Sequence, residues 1–417
     1  MGRADDAQSA ARLGRVPAFD GLRAVAVLLI LWHHTLSDLV PTGSAVGATD
    51  PSPHGAFLGV DMFFALSGFL ITTLLLEERT ASGRISVSSF YKRRALRLLP
   101  ALVAMLLATT VYALVANDHL TEQLHGVVPV LFYVGNWGVE LGYSTGPFLT
   151  HTWSLSVEEQ FYLVWPLLIA FALVSRRRLR LFFAALGLGL LAVTAYRASA
   201  WSHDLVTVSR LYQGTFTRAD ALLVGAGGAY LWSRRRTTFA HLPALATAAT
   251  VVVALFVVFV KVSDRLLYVG GFSLFGVAMV LVIIACTQPG WWGTTVLSAR
   301  PLVSIGLVSY GVYLWHYPVF IIVRTHGGDW PLAARLLVAY GLTAVLVVLS
   351  WHFVEKPFLR LKSSLGTRSS APRPPARVAA ADLVRTRSLA PSAASEDVDA
   401  EVPAVVDLRE GAVTATD

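Results

Sequence analysis

Cysteine is nearly absent from this sequence, and charge is scarce. The single cysteine, Cys286, lies inside an apolar run. That excludes an intramolecular disulfide and any cysteine-based zinc site. Charged residues make up 14% of the chain, against about a quarter in a soluble domain. So few charges cannot cover a globule of 417 residues, so lipid must cover much of it. Lysine is scarcer still, with only Lys92, Lys261, Lys356 and Lys362. The basic surplus behind the net charge of +8 is therefore arginine. Its clusters sit between apolar runs, where they set orientation in a bilayer rather than bind nucleic acid. Two catalytic signatures are missing too. There is no GxxxxGK[ST] phosphate loop and no HExxH metalloprotease helix. No internal repeat of the kind that builds many secondary transporters is evident.

What the chain does have is hydrophobic length. Hydrophobic residues are 55% of it, and the mean hydropathy is +0.60. A bilayer-crossing helix needs about 20 mostly apolar residues. Runs that meet this fall at 19–40, 57–76, 96–116, 153–174, 179–199, 212–232, 240–260, 266–286, 302–323 and 332–354. The fold class expected is all-α, a polytopic transmembrane helix bundle of about ten spans. The first run has no small-residue cleavage site after it and reads as a retained helix rather than a signal peptide. The stretch 124–141 is ambiguous, because Pro129, Asn136 and its glycines argue for a broken or surface helix.

Charge arbitrates. With ten spans, Arg12 and Arg15, Arg79 through Arg97, Arg176 through Arg180, Arg234 through Arg236, Arg300, and Lys356 through Lys362 all fall on one side. Counting 124–141 as an eleventh span would move Arg176 through Arg180 across. The positive-inside bias favours ten spans with both termini cytoplasmic, and it makes 117–150 an outward excursion. Three parts follow: a cytoplasmic segment 1–16, a membrane domain 17–362, and a tail 363–417. The tail is rich in Ser, Ala, Pro and charge and is expected to be disordered.

Ionisable residues inside a span are expensive and mark function by default. In the first run, Arg23 and His34 lie eleven residues apart. At 100° each this returns His34 to within about 20° of Arg23, roughly 16 Å further along. A neutral imidazole there can act as a general base on a hydroxyl, or simply bond a backbone carbonyl. Asp61 enters a second apolar run and either orients His34 or caps its own helix. Arg94 and Arg97, three apart, share a face and suit phosphate oxygens or lipid headgroups. Ser154, Glu158, Tyr162 and Trp165 fall on one face, with Glu159 pointing elsewhere. Glu158 either pairs with a histidine or arginine, or binds a substrate hydroxyl. Tyr313 and His316 share a face as a substrate contact or a structural pair, and Pro318 weakens the helix after them. Arg218 and Asp220 form a local ion pair or line the outer mouth.

Five stretches, FDGLRAVAVLLILWHH, GVDMFFALSGFLIT, FYKRRALRLLP, TWSLSVEEQFYLVWP and SYGVYLWHYP, resemble in order and spacing the acyltransferase-3 superfamily of membrane acyltransferases. The resemblance runs from about residue 17 to 360. It implies a ten-span domain that takes an acyl-CoA donor, by default acetyl-CoA, from the cytoplasm. It implies transfer to a hydroxyl of a carbohydrate, glycolipid, cell-envelope polymer or macrolide-like molecule in a bacterial cytoplasmic membrane, with no metal. Arg23 and His34 match a pair that members use for activity, and Arg94 and Arg97 match an Arg-x-x-Arg pattern. Glu158 matches the acidic position of an SLSVE motif. His33 departs from the usual aromatic residue. Many relatives add an extracytoplasmic SGNH hydrolase-like domain, whereas this chain resembles the stand-alone members.

The resulting site assigns His34, Glu158 and Asp61 to catalysis and Arg23, Arg94 and Arg97 to the donor. Tyr313, His316, Arg218 and Asp220 fall to the acceptor. The expected partners are acyl-CoA, a hydroxyl-bearing acceptor and membrane lipid, with no nucleic acid; the oligomeric state is open. The rival reading is a transporter that moves an acyl group or envelope precursor through the same embedded charges.

Overall fold

The structure, a computed structural model, describes residues 13–40, 54–203, 206–234 and 241–367. The first residues, the lysine- and arginine-free loop around 41–53, Arg235 and Arg236, and the tail from 368 lie outside the described residues. Among the described residues there are helices and turns but no strands.

The helices used below are α1 (Pro17–His34), α2 (Gly59–Ser82), α3 (Val87–Ala116), α4 (Leu120–Leu131), α5 (Trp153–Ala172), α6 (Arg176–Ser202), α7 (Asp220–Arg234), α8 (Leu242–Phe259), α9 (Phe272–Ala285), α10 (Ser309–His326), α11 (Leu332–Leu349) and α12 (Lys356–Thr367). Among the described residues eight helices, built on α1, α2, α3, α5, α6, α8, α9 and α11, are long and apolar enough to cross a membrane. A ninth candidate is the pair Arg300–Leu307 and α10, bent by 68°. The bend falls at Val308, and α10 runs unbroken through Pro318. The expected weakening at Pro318 is therefore displaced ten residues upstream.

The expected run at 212–232 is the broken one. Gly214 is extended, with ψ 136°. It separates the short turns Val208–Gln213 and Thr215–Arg218, and only α7, 15 residues long, continues the run. A hydropathy window reads composition and does not see such a break. α7 nonetheless packs deep in the bundle, crossing α2 at small residues. A Cβ on Gly68 would lie 2.0 Å from the Leu222 carbonyl oxygen, and one on Gly225 would lie 2.2 Å from that of Ala65. Only glycine permits this approach.

The ambiguous stretch resolves as a short helix and a turn. α4 spans 12 residues, about 18 Å of rise, too short to cross. Its return is fastened by a polar latch. Gln160 Nε2 donates to the Tyr133 carbonyl at 2.7 Å and to Asn136 Oδ1 at 2.9 Å. Thr215 donates to Gln160 Oε1 at 2.6 Å and accepts from Asn136 at 2.9 Å. The broken segment after Gly214 and the excursion thus hold each other.

Candidate functional site

α1 carries the site along its length. At its Arg23 end lies a cavity of about 300 Å³ lined by Arg23, Ser67, Arg94, Arg97, Ser154, Glu158, Glu159, Tyr162 and Tyr313 among apolar residues. At its His34 end lies a second cavity of about 170 Å³, lined by His33, His34, Phe57, Thr150, His151, Trp153, Tyr212, Gln213 and Tyr317. Val60 and Tyr313 line both and form the partition. The Tyr313 hydroxyl donates to the carbonyl of His151 at 2.6 Å and is 2.5 Å from Ser154 Oγ. A carbonyl can only accept, so Tyr313 accepts from Ser154.

The first cavity mixes both signs of charge. Arg94 Nε lies 2.9 Å from both oxygens of Glu159, a second Arg94 nitrogen also donates to Glu159, and the guanidinium lies 3.1 Å over the Tyr162 ring. Glu158 accepts from Ser67 at 2.5 Å and from Tyr162 at 2.7 Å, and Arg94 approaches it to 3.9 Å. Arg23 donates to Asp20 at 2.8 Å. Arg97 lines this cavity and makes no ion pair among the described residues, whereas Arg23 pairs with Asp20 and Arg94 with Glu159. Ser154, Glu158 and Tyr162 line the cavity from one face of α5, and Trp165 turns to Thr72 instead. Glu159, set aside by spacing, reaches the same cavity because Arg94 on α3 draws it in.

The second cavity is a histidine chamber. His34 Nδ1 lies 2.9 Å from Asp38 Oδ2. The His34 ring packs at 5.3 Å from His316 and 4.8 Å from Tyr317. His151 packs at 4.8 Å from Tyr317 and 5.7 Å from His316. His316 Nδ1 lies 3.0 Å from the Val312 carbonyl, which fixes its proton on Nδ1. Its Nε2 and both ring nitrogens of His151 are buried without a partner. No group of His, Cys, Asp and Glu among the described residues is arranged to hold a metal ion.

Three expectations are corrected. Asp61 neither orients His34 nor caps its helix: both its oxygens accept from Arg218 at 2.9 Å, and the pair is fully buried. Arg218 and Asp220 do not pair with each other. Residues two apart point in different directions on a helix, so Asp220 pairs instead with Arg197 at 2.8 Å. This quartet lines no mouth. Arg218 stacks over Phe272 at 3.8 Å and Tyr212 at 4.9 Å, behind the wall of the histidine chamber. The carboxylate on His34 is Asp38 rather than Glu158 or Asp61. Two chamber residues escaped the sequence reading. Asp38 is one helical turn beyond His34, an i, i+4 spacing that could have flagged it. His151 sits in the turn Thr150–Thr152 before α5, where helical periodicity carries no signal.

A polytopic helical membrane protein with buried basic and imidazole groups along one helix is the class this defines. A family model described as an acyltransferase domain matches residues 16–354. The chain belongs to that family. It is 33% identical over 365 residues to YrhL of Bacillus subtilis, provisionally named a peptidoglycan O-acetyltransferase, covering 82% of this chain and 54% of that one. It is 32% identical over 369 residues to the peptidoglycan O-acetyltransferase OatA of Listeria monocytogenes, covering 82% and 55%. A Staphylococcus aureus protein provisionally named an O-acetyltransferase is 32% identical over 364 residues, covering 82% and 57%. The chain spans about half the length of these curated relatives. No solved structure matches it significantly.

Proposed function

We propose that the protein is an acyl-CoA-dependent O-acyltransferase of the cytoplasmic membrane, moving acetyl to a hydroxyl of a cell-envelope carbohydrate. The carrying observation is the pair of adjoining cavities along α1, one with the unpaired Arg97 and one with His34. Arg23 and His34 are about 16 Å apart along the helix, a span that the pantetheine arm of coenzyme A can bridge. The positive-inside bias puts the arginine cavity towards the cytoplasm, where acyl-CoA is found, and both termini on that side. The division into segment 1–16, membrane domain 17–362 and tail 363–417 belongs to this reading. So does peptidoglycan as the favoured acceptor, which rests on the names of the relatives.

The lining of the two cavities supports the following roles. Arg97 meets donor phosphate first, with Arg23 beside it. Arg94 is committed to Glu159 and braces the cavity. The acyl group passes the Val60–Tyr313 partition. His34 Nε2 removes the acceptor's proton as its oxygen attacks the thioester carbon. The C–O bond forms, the C–S bond breaks, and the proton returns to sulfur as free coenzyme A leaves. Tyr317, Trp153 and Tyr212 offer ring faces to a sugar, and His151 and Gln213 offer polar groups. The test is coenzyme A release from acetyl-CoA by protein in nanodiscs with a peptidoglycan disaccharide. Release that needs both acceptor and His34 supports the reading. Equal release by folded His34→Ala overturns it.

A further inference from the structure

We infer that Asp38, itself held by Arg324, is a positioning residue that fixes the tautomer of His34 and leaves Nε2 as the reactive nitrogen. The inference rests on His34 being the base of the reading above and adds a residue that the motif resemblance does not contain. At the end of α1 the backbone changes from α to π hydrogen bonding over Thr35–Leu39, a rare local geometry frequent at functional sites. Asp38 lies in that turn with its side chain only 9% exposed. Each carboxylate oxygen is used. Oδ2 meets His34 Nδ1 at 2.9 Å and accepts from Ser37 at 2.9 Å. Oδ1 accepts from Arg324 at 3.0 Å.

An ionised carboxylate only accepts, so the His34 proton sits on Nδ1 and the lone pair on Nε2. The other groups around His34 are His33, His316 and Tyr317. His316 has its own Nδ1 proton turned to Val312 and offers no acceptor there to compete for that proton of His34. The carboxylate also stabilises the imidazolium that forms while the proton is in transit, as the aspartate does in Ser-His-Asp hydrolases. Arg324 comes from α10, so the dyad is pinned between two helices.

The experiment uses the full chain in nanodiscs, with initial rates of coenzyme A release against acetyl-CoA concentration. Asp38→Asn is expected to lower kcat about 100-fold while the KM for acetyl-CoA stays within about twofold, because the donor's phosphates lie in the other cavity. Asp38→Glu restores part of the rate, since it returns a carboxylate. Arg324→Gln, which keeps the carboxylate, costs about fivefold. Wild-type kcat in Asp38→Asn overturns the inference. So does a loss that appears as a raised KM and a lowered melting temperature without rescue by glutamate, which is a purely structural role. Should His34→Ala match wild type, the base assignment itself has failed. Should His34→Ala be inactive and Asp38→Asn fully active, only the role of Asp38 has.

Discussion

Two groups of ionisable side chains lie deep in this bundle, and they differ in whether their charges are answered. In the quartet Asp61, Arg218, Arg197 and Asp220, each acid meets an arginine within 3 Å in full burial. In and behind the chamber lined by His34 and His151, with His316 packed against both, three ring nitrogens are buried with no partner in the protein. A balanced ion pair in a low-dielectric interior holds elements together, and removing one partner leaves a costly unpaired charge. The quartet also holds unpartnered atoms, Arg197 Nε, Arg218 Nε and Nη1 and Asp220 Oδ1, but its side chains are fully buried, whereas His34 and His151 line a cavity that a ligand can enter. By sequence alone both groups are embedded polar residues, and the default for either is function. Pairing of opposite charges in full burial on one side, and access to a cavity on the other, separate them.

The largest test of that contrast is His34→Ala. It is expected to reduce coenzyme A release by about 1,000-fold or more, with the melting temperature unchanged. The quartet is expected to respond in the opposite way. Arg218→Met leaves Asp61 buried and unanswered and destabilises the fold by about 3–5 kcal/mol, visible as lost monodisperse protein on size exclusion and an earlier thermal transition. The double variant Asp61→Leu with Arg218→Met should recover much of that loss. A quartet variant that instead stays stable and loses turnover would erase the distinction.

Arg97→Gln sharpens the contrast within the first cavity. It should raise the KM for acetyl-CoA by about 10- to 100-fold, the worth of one charge-assisted hydrogen bond, with kcat nearly intact. Arg94→Gln should also lower stability, because Glu159 loses its partner. The smallest effect expected is Tyr313→Phe. Removing the hydroxyl that links Ser154 to the His151 carbonyl should cost about 1 kcal/mol of stability and change the rate less than tenfold.

The membrane architecture was largely legible because apolar length is a property of local sequence. The run 212–232 keeps its apolar composition through the break at Gly214, so hydropathy could not show that only α7 is a long regular helix there. Arg23 and His34 were legible together because both ride one regular helix. The partners of Asp61 and Asp220 were not, since they lie on other elements: the close crossing of α2 and α7 at Gly68 and Gly225 brings Asp61 near Arg218, and Arg197 reaches Asp220 from α6. Glu159 shows the same limit: its spacing points it away from Glu158, yet Arg94 on another helix sets its place.

The central claim is that the donor is held at the arginine end of α1 and processed at the histidine end. Binding and turnover of acetyl-CoA by one set of nanodisc samples tests it most directly. The account predicts that His34→Ala binds acetyl-CoA with wild-type affinity and releases no coenzyme A, while Arg97→Gln binds weakly and still turns over at saturation. Wild-type turnover in His34→Ala, or unchanged affinity in Arg97→Gln, would contradict it.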